Sequence, residues 1–164
     1  MHELIICDAT TDDFQRIVSI NQAQEDKTSH MNAQQLAVLH ELSCYHRVAT
    51  VNNEIIGFLL AMSHTASYSN ANFAWFCSHT ASFVYIDRIV IEKPFAGMGV
   101  GTALYNDLFS DCRRQQISHV VCEYNLQPLN IASQKFHKAR HFKEVGQHSP
   151  SEGKWVSLQS AFVS

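Results

Sequence analysis

The chain has 164 residues, one domain's length by the usual measure of about 150 residues, and enough to bury roughly 70 per cent of its unfolded surface. Hydrophobic residues make up 46% and charged residues only 16%, against a typical charged share of about 25 per cent, which excludes a disordered tail or a polyelectrolyte. Twelve Lys and Arg against fifteen Asp and Glu leave a net charge of -3 at pH 7, so there is no basic field for nucleic acid, although ten His shift the balance as pH falls.

No stretch approaches the roughly 20 apolar residues that span a bilayer, and residues 1–6 are too short and acidic for a signal peptide. No membrane partner and a cytoplasmic location are therefore expected. The five cysteines (Cys7, Cys44, Cys77, Cys112, Cys122) form no CxxC pair and read as reduced, mostly core thiols.

Along the chain, Leu4 to Cys7 predicts a strand, and Thr10 to Asp13 supplies helix caps for a segment carrying Phe14, Ile17 and Val18 on one side. After a polar patch over Asn21 to Asn32, Leu36, Leu39 and Leu42 recur at helical spacing up to about Ser43. Tyr45 to Val51, Asn52-Asn53 and Glu54 to Met62 predict a hairpin, because Asn tolerates the positive φ of a tight two-residue turn. Residues 63–82 alternate polar and aromatic without a period and are expected as a long loop insertion, a feature often functional in a compact domain. The other reading of that loop is a surface excursion packing its own aromatics.

Phe83 to Ile91 predicts a central strand ended by Pro94, and a helix is expected from about Gly99 to near Gln115. His119 to Asn125 reads as a strand, Asn130 to Arg140 as a helix, and His141 to Val145 with Lys154 to Leu158 as a hairpin closed across residues 146–153. No repeat, low-complexity tract or linker interrupts the expected single domain, 1–164.

Of six Gly in the chain, three fall within five positions, Gly97, Gly99 and Gly101. The order strand, Ala96-Gly97-Met98-Gly99-Val100-Gly101-Thr102, helix lets backbone N–H groups converge on an anion at the positive end of a helix dipole. A P-loop would need Lys before Thr102, and it has Gly101 there. A dinucleotide loop would need Gly or Ala at Thr102 or at Leu104, depending on register. Neither pattern fits, and a tight strand-to-helix turn without a ligand stays open.

Downstream, Cys122-Glu123-Tyr124-Asn125 leads through Pro128 to Asn130-Ile131-Ala132-Ser133-Gln134-Lys135-Phe136-His137 and Phe142. Together with Ile89-Val90-Ile91 and the glycine run, these residues resemble the GNAT superfamily of acetyl-CoA-dependent N-acetyltransferases, strongly over about residues 45–147. In that family's acyl-CoA loop, Gly99 and Gly101 fill the glycine places and Ala96 stands where Arg or Gln is usual. In its second motif Asn130, Ser133 and Phe142 match, while His137 takes the usual Tyr place and His141 the usual Gly place. Glu123 and Asn125 are similar to a bacterial branch for which no substrate is implied.

The resemblance implies an α/β (α+β) single-domain GNAT-like fold, with a mixed, mostly antiparallel sheet of about six to seven strands and about four helices. It also implies transfer of an acetyl group from acetyl-CoA to an amine acceptor, a small molecule or a peptide, by direct attack in a ternary complex. The pantetheine arm would lie along Ile89-Val90-Ile91 and the pyrophosphate on Ala96 to Thr102, with Asn130, Ser133 and Phe136 near the arm. Glu123 is the expected general base, Asp87 the second candidate, and His137 the expected general acid toward the thiolate.

Each has a plainer reading: an Asp87–Arg88 pair, an exposed helix His, an Asn130 helix cap, a local Ser133 backbone bond. Cys122, in an apolar strand, is a poor nucleophile. A homodimer is left open. A zinc site at His137 and His141 has too few ligands, and no metal is expected. A non-catalytic acyl-CoA sensor with the same fold is the alternative function.

Overall fold

The computed structural model describes residues 2–164, so residue 1 of the expected 1–164 domain lies outside the described residues. Among the described residues there are seven strands and five α-helices. They are β1 (Leu4–Asp8), α1 (Phe14–Gln22), α2 (Ala33–Leu42), β2 (Tyr45–Val51), β3 (Glu54–Ser63) and α3 (Ala71–His79), followed by β4 (Val84–Ile91), α4 (Val100–Arg114), β5 (His119–Asn125), α5 (Ile131–Ala139), β6 (Lys143–Ser151) and β7 (Lys154–Phe162). The strands form one mixed, mostly antiparallel sheet in the order β1-β2-β3-β4-β5-β7-β6. The chain divides into two compact units, the first running to Met62 and adding Ile86–Asp111, the second comprising Ser63–Tyr85 and Cys112–Ser164.

In the first unit β2 pairs antiparallel with both β1 and β3. The expected Asn52-Asn53 turn is present, with φ of 52° and 64°, the left-handed region that Asn tolerates and a two-residue hairpin turn requires. At the head of α1, Thr10 N–H donates to Asp13 Oδ2 at 2.8 Å. Asn32 and Gln35 cap α2 reciprocally, each side chain accepting from the other's backbone N–H at 2.8 Å. Ile17, Ile20, Leu36, Phe58 and Leu104 form part of a core sealed from solvent. Asp107 of α4 accepts from Tyr45 Oη and Arg47 Nη1, both at 2.7 Å, which ties α4 to β2. Burial and the Asp107 carboxylate together push the Tyr45 phenol far above its ordinary value, so it stays a donor.

In the second unit β4 and β5 run parallel at Val84–Val120 and Tyr85–Val121, and β5 and β6 flank β7 in antiparallel register. The region expected as a 63–82 loop contains α3. Asn70 caps it, its Oδ1 accepting from Phe73 N–H at 3.0 Å, and Phe73 and Phe76 enter an aromatic cluster with Tyr68, Phe83 and Tyr85 at centroid spacings from 5.4 to 6.5 Å. Two helical turns are too few to show a period among so many other aromatics, and α3 raises the helix count from the expected four to five.

The closing hairpin also differs. β6 and β7 run on to meet at the Glu152-Gly153 turn, with Gly153 at φ +76°, rather than opening into a loop at Gly146. Gly146 is a strand residue with no room for a side chain, because Trp75 of α3 lies against it: a Cβ there would stand 2.6 Å from Trp75 Cζ2. Pro150 is accommodated because β6 ends the sheet and its register shifts between His148 and Ser151.

Candidate functional site

In the first unit, a short 3-10 turn over Lys93–Phe95 carries Pro94 and leads into the glycine run. Gly97 and Gly99 have φ of +77° and +84°, a conformation costly for any residue with a Cβ. No atom lies within 4 Å of where their Cβ atoms would stand, so the requirement comes from the backbone and not from crowding. The Gly99 carbonyl accepts from Ala103 N–H at 3.0 Å, which starts α4 there. The N–H groups of Val100 and Gly101 therefore belong to the first turn of a 15-residue helix, where the helix ladder itself supplies no acceptor for such donors. That turn contains no acidic residue, and Ala96 to Gly99 are exposed. Such an end suits an anion.

Of the strand preceding it, Val90 is buried and Ile89 and Ile91 are partly exposed. Asp87 pairs with Arg88, whose Nε donates to its Oδ2 at 2.9 Å, with side chains 4% and 9% exposed. Arg88 Nη1 also donates to Asn21 Oδ1 at 3.2 Å and to the Ser29 carbonyl at 3.0 Å. These bonds fasten the end of α1 and the segment after it to β4. The plainer reading of Asp87 thus has direct geometry behind it.

In the second unit, Glu123 Oε1 accepts two hydrogen bonds, from Tyr85 Oη at 2.8 Å and from Asn72 Nδ2 at 3.0 Å. Both donors are buried, at 0% and 6% exposure, and they fix the carboxyl's orientation. Neither was expected from the sequence. Asn72 lies on the helix that reads as a loop, and Tyr85 is one aromatic in an apolar run; the Asn70 cap followed by Phe73 and Phe76 is the only signal for the first.

His137 stands elsewhere. Successive residues of β5 face opposite sides of the sheet, and the register pairs Glu123 with Leu158 and Tyr124 with Ser157. Glu123 faces Asn72 of α3, whereas Tyr124 on the other side stacks on His137 of α5 at 6.1 Å. The two expected proton-transfer residues lie on opposite faces of β5.

The His137 ring is 5% exposed, and burial lowers its pKa, helped by nearby Arg140 and opposed by the Ser133 bond. Nδ1 lies 2.7 Å from the Ser133 carbonyl oxygen, which can only accept, so Nδ1 carries the proton of the neutral ring. Nε2 then lacks the proton that a general acid must give.

The remaining α5 residues are engaged locally. Asn130 Oδ1 accepts from Ser133 N–H at 3.1 Å as the helix cap, Ser133 Oγ lies 3.1 Å from His137 Nδ1, and the Arg140 guanidinium covers the Phe136 ring at 3.6 Å. His141 lies beyond the end of α5 with φ of +65°, so it does not continue the helix face of His137. Among the described residues no group of three or more His, Cys, Asp or Glu is arranged to hold a metal ion, and no helix is long and apolar enough to cross a membrane.

Residues 6–142 match the Acetyltransferase (GNAT) family. Among solved structures, the chain is similar to Ard1 from Thermoplasma volcanium, at 21% identity and a TM-score of 0.78, covering 98% of each chain. It is similar to yncA from Salmonella typhimurium, solved with its cofactor acetyl-CoA, at 17% identity and a TM-score of 0.74, covering 99% of this chain and 95% of that one. A third is Naa50 from Arabidopsis thaliana in complex with the bisubstrate analogue CoA-Ac-MVNAL, at 15% identity and a TM-score of 0.73, covering 96% of this chain and 97% of that one. At these identities the likeness establishes the fold. A search of curated proteins finds no match.

Proposed function

The chain belongs to the acetyltransferase (GNAT) family, and from that premise we propose that it moves an acetyl group from acetyl-CoA to an amine acceptor, with Glu123 as general base. The observation that carries the reading is the glycine turn: two left-handed glycines deliver the chain to the first turn of α4, which carries no acidic side chain. A pyrophosphate fits that turn because backbone N–H groups, a helix dipole and no acidic side chain meet there. Residues Ala96 to Thr102 would hold it. The backbone of Ile89-Val90-Ile91 would pair with the pantetheine amides, and Asn130, whose oxygen is spent on the cap, has Nδ2 to offer, with Ser133 and Phe136 close by in sequence. Bound acetyl-CoA supplies an acyl group activated as a thioester.

Glu123 receives the amine's proton, and its orientation is set beforehand by Tyr85 and Asn72. Asp87 ranks behind it because Arg88 already engages its carboxylate. His137 is a positioning residue: its Nδ1–H ties back to Ser133 and its ring packs on Tyr124. No proton from it is required, since water protonates a thiol of cysteine-like pKa, about 8.5.

A panel of small amines and peptides, read by the free thiol of released CoA, tests the activity. Glu123→Gln is expected to lower kcat by about 10²- to 10⁴-fold, the usual worth of a general base, while acetyl-CoA affinity stays within about twofold. Unchanged turnover removes Glu123 from the role. Acetyl-CoA binding with no release across the whole panel makes the chain a sensor module instead.

A further inference from the structure

α3 brings to Glu123 a side chain with one end satisfied and the other not. Asn72 is 6% exposed, and its Nδ2 donates to Glu123 Oε1 at 3.0 Å, which fixes which end of the amide is oxygen. That oxygen, Oδ1, has no solvent contact and accepts no hydrogen bond. Buried side-chain acceptors are nearly always paired, and an exception bonded to the candidate base needs an explanation, which a donor brought by a ligand would supply. Tyr85 Oη donates to the same carboxylate oxygen at 2.8 Å, so Glu123 is held from β4 without help from the amide oxygen.

We propose that Asn72 is the seat of the acceptor nitrogen: its Nδ2 holds Glu123 while its Oδ1 accepts an N–H of the incoming amine. This rests on the acetyl-transfer reading given above. A primary ammonium has three N–H bonds. One proton passes to Glu123, one N–H stays on Asn72, and the nitrogen lone pair freed by deprotonation attacks the thioester carbon. The C–N bond forms, the C–S bond breaks with its electron pair on sulfur, and the nitrogen gives up a second proton to solvent. The product amide of a primary amine keeps one N–H for Asn72. A secondary ammonium has two N–H bonds, enough for Glu123 and Asn72 before attack, but its amide has none, so the seat favours primary amines at the transfer step and not at binding.

Two measurements test this on the full chain. With acetyl-CoA and whichever panel amine turns over best, Asn72→Ala is expected to raise the amine KM about tenfold or more, the loss of a hydrogen bond to a charged group, with acetyl-CoA affinity within about twofold. Tyr85→Phe keeps the seat, so it is expected to shift the pH profile of kcat while leaving the amine KM within about twofold. An unchanged amine KM in a folded Asn72→Ala chain overturns the proposal and leaves the acetyl-transfer reading standing.

The second measurement needs no turnover and no variant. The Asn72 side-chain ¹⁵N–¹H resonances of the CoA-bound chain are followed during titration with n-propylamine hydrochloride. A saturable shift with n-propylamine supports the seat, even if no acceptor is acetylated and the enzymatic reading fails. Absence of a saturable shift with n-propylamine overturns it.

Discussion

Glu123 and His137 show how two polar side chains in one unit acquire different chemistry from what surrounds them. Glu123 accepts from Tyr85 and Asn72, and both bonds fix the orientation of its carboxyl group. His137 has its one neutral-form proton committed to a backbone carbonyl, and burial discourages a second. If the ring serves to hold α5, then His137→Gln, which keeps a donor for the Ser133 carbonyl, leaves kcat within about threefold and costs stability of about 1 kcal/mol. A drop of about 10²-fold or more in kcat, with acetyl-CoA affinity intact, would restore the proton-donor role. Both residues stand out in the sequence as polar groups beside apolar ones. Their partners do not, because a hydrogen bond across 51 positions, from Asn72 to Glu123, has no local pattern.

At the scale of elements, most of the chain is legible from spacing and turn chemistry. The Asn52-Asn53 hairpin, the capped helices and the strand before the glycine run all follow rules that act within a few residues. α3 and β6 are the exceptions, and they are linked. Trp75 packs where Gly146 lacks a side chain, so a helix read as loop and a strand residue read as turn are two sides of one contact. The Trp75 ring is further steadied by stacking on His79 at a centroid distance of 3.7 Å. Gly146→Ala is therefore expected to cost about 1–3 kcal/mol of stability through overpacking, seen as a lower urea midpoint. Trp75→Phe shortens the ring facing that Cβ, so adding it to Gly146→Ala should recover part of the loss. Simple additivity of the two costs would show that the ring and the strand are not in contact.

At the scale of the whole molecule, charge is sparse and ten His dominate the response to acid. Two of them are buried. His46 is pushed down to about 4, by burial first and His40 second, with Asp13 opposing, and His137 is lowered as well. His40 and His46 meet Nδ1 to Nδ1 at 2.8 Å, a contact that holds one proton between them and not two. Phe14 and Phe58 pack against the His46 ring.

A base whose pKa falls on folding leaves the unfolded chain with more bound protons. Stability present above about pH 6.5 is therefore lost as pH drops through 6.5 toward 4. For His46 the full loss is about 3 kcal/mol at roughly 1.4 kcal/mol per unit. Thermal unfolding from pH 7.5 to 4 should show this decline, and His46→Phe should flatten it. An equally steep decline in the variant assigns the acid sensitivity to other groups.

The sequence by itself determined the elements whose cause is local, the glycine turn with its conformational demand, and the motif residues of the family. It also placed Glu123 on a strand of otherwise apolar character. Only the tertiary structure decided which face of β5 each candidate occupies, that Asp87 pairs with Arg88, and that Asn72 and Tyr85 orient Glu123. The physical reason is range. Backbone conformation and capping are fixed within a turn or two of chain, while the protonation and orientation of a buried side chain depend on atoms that folding brings from distant positions.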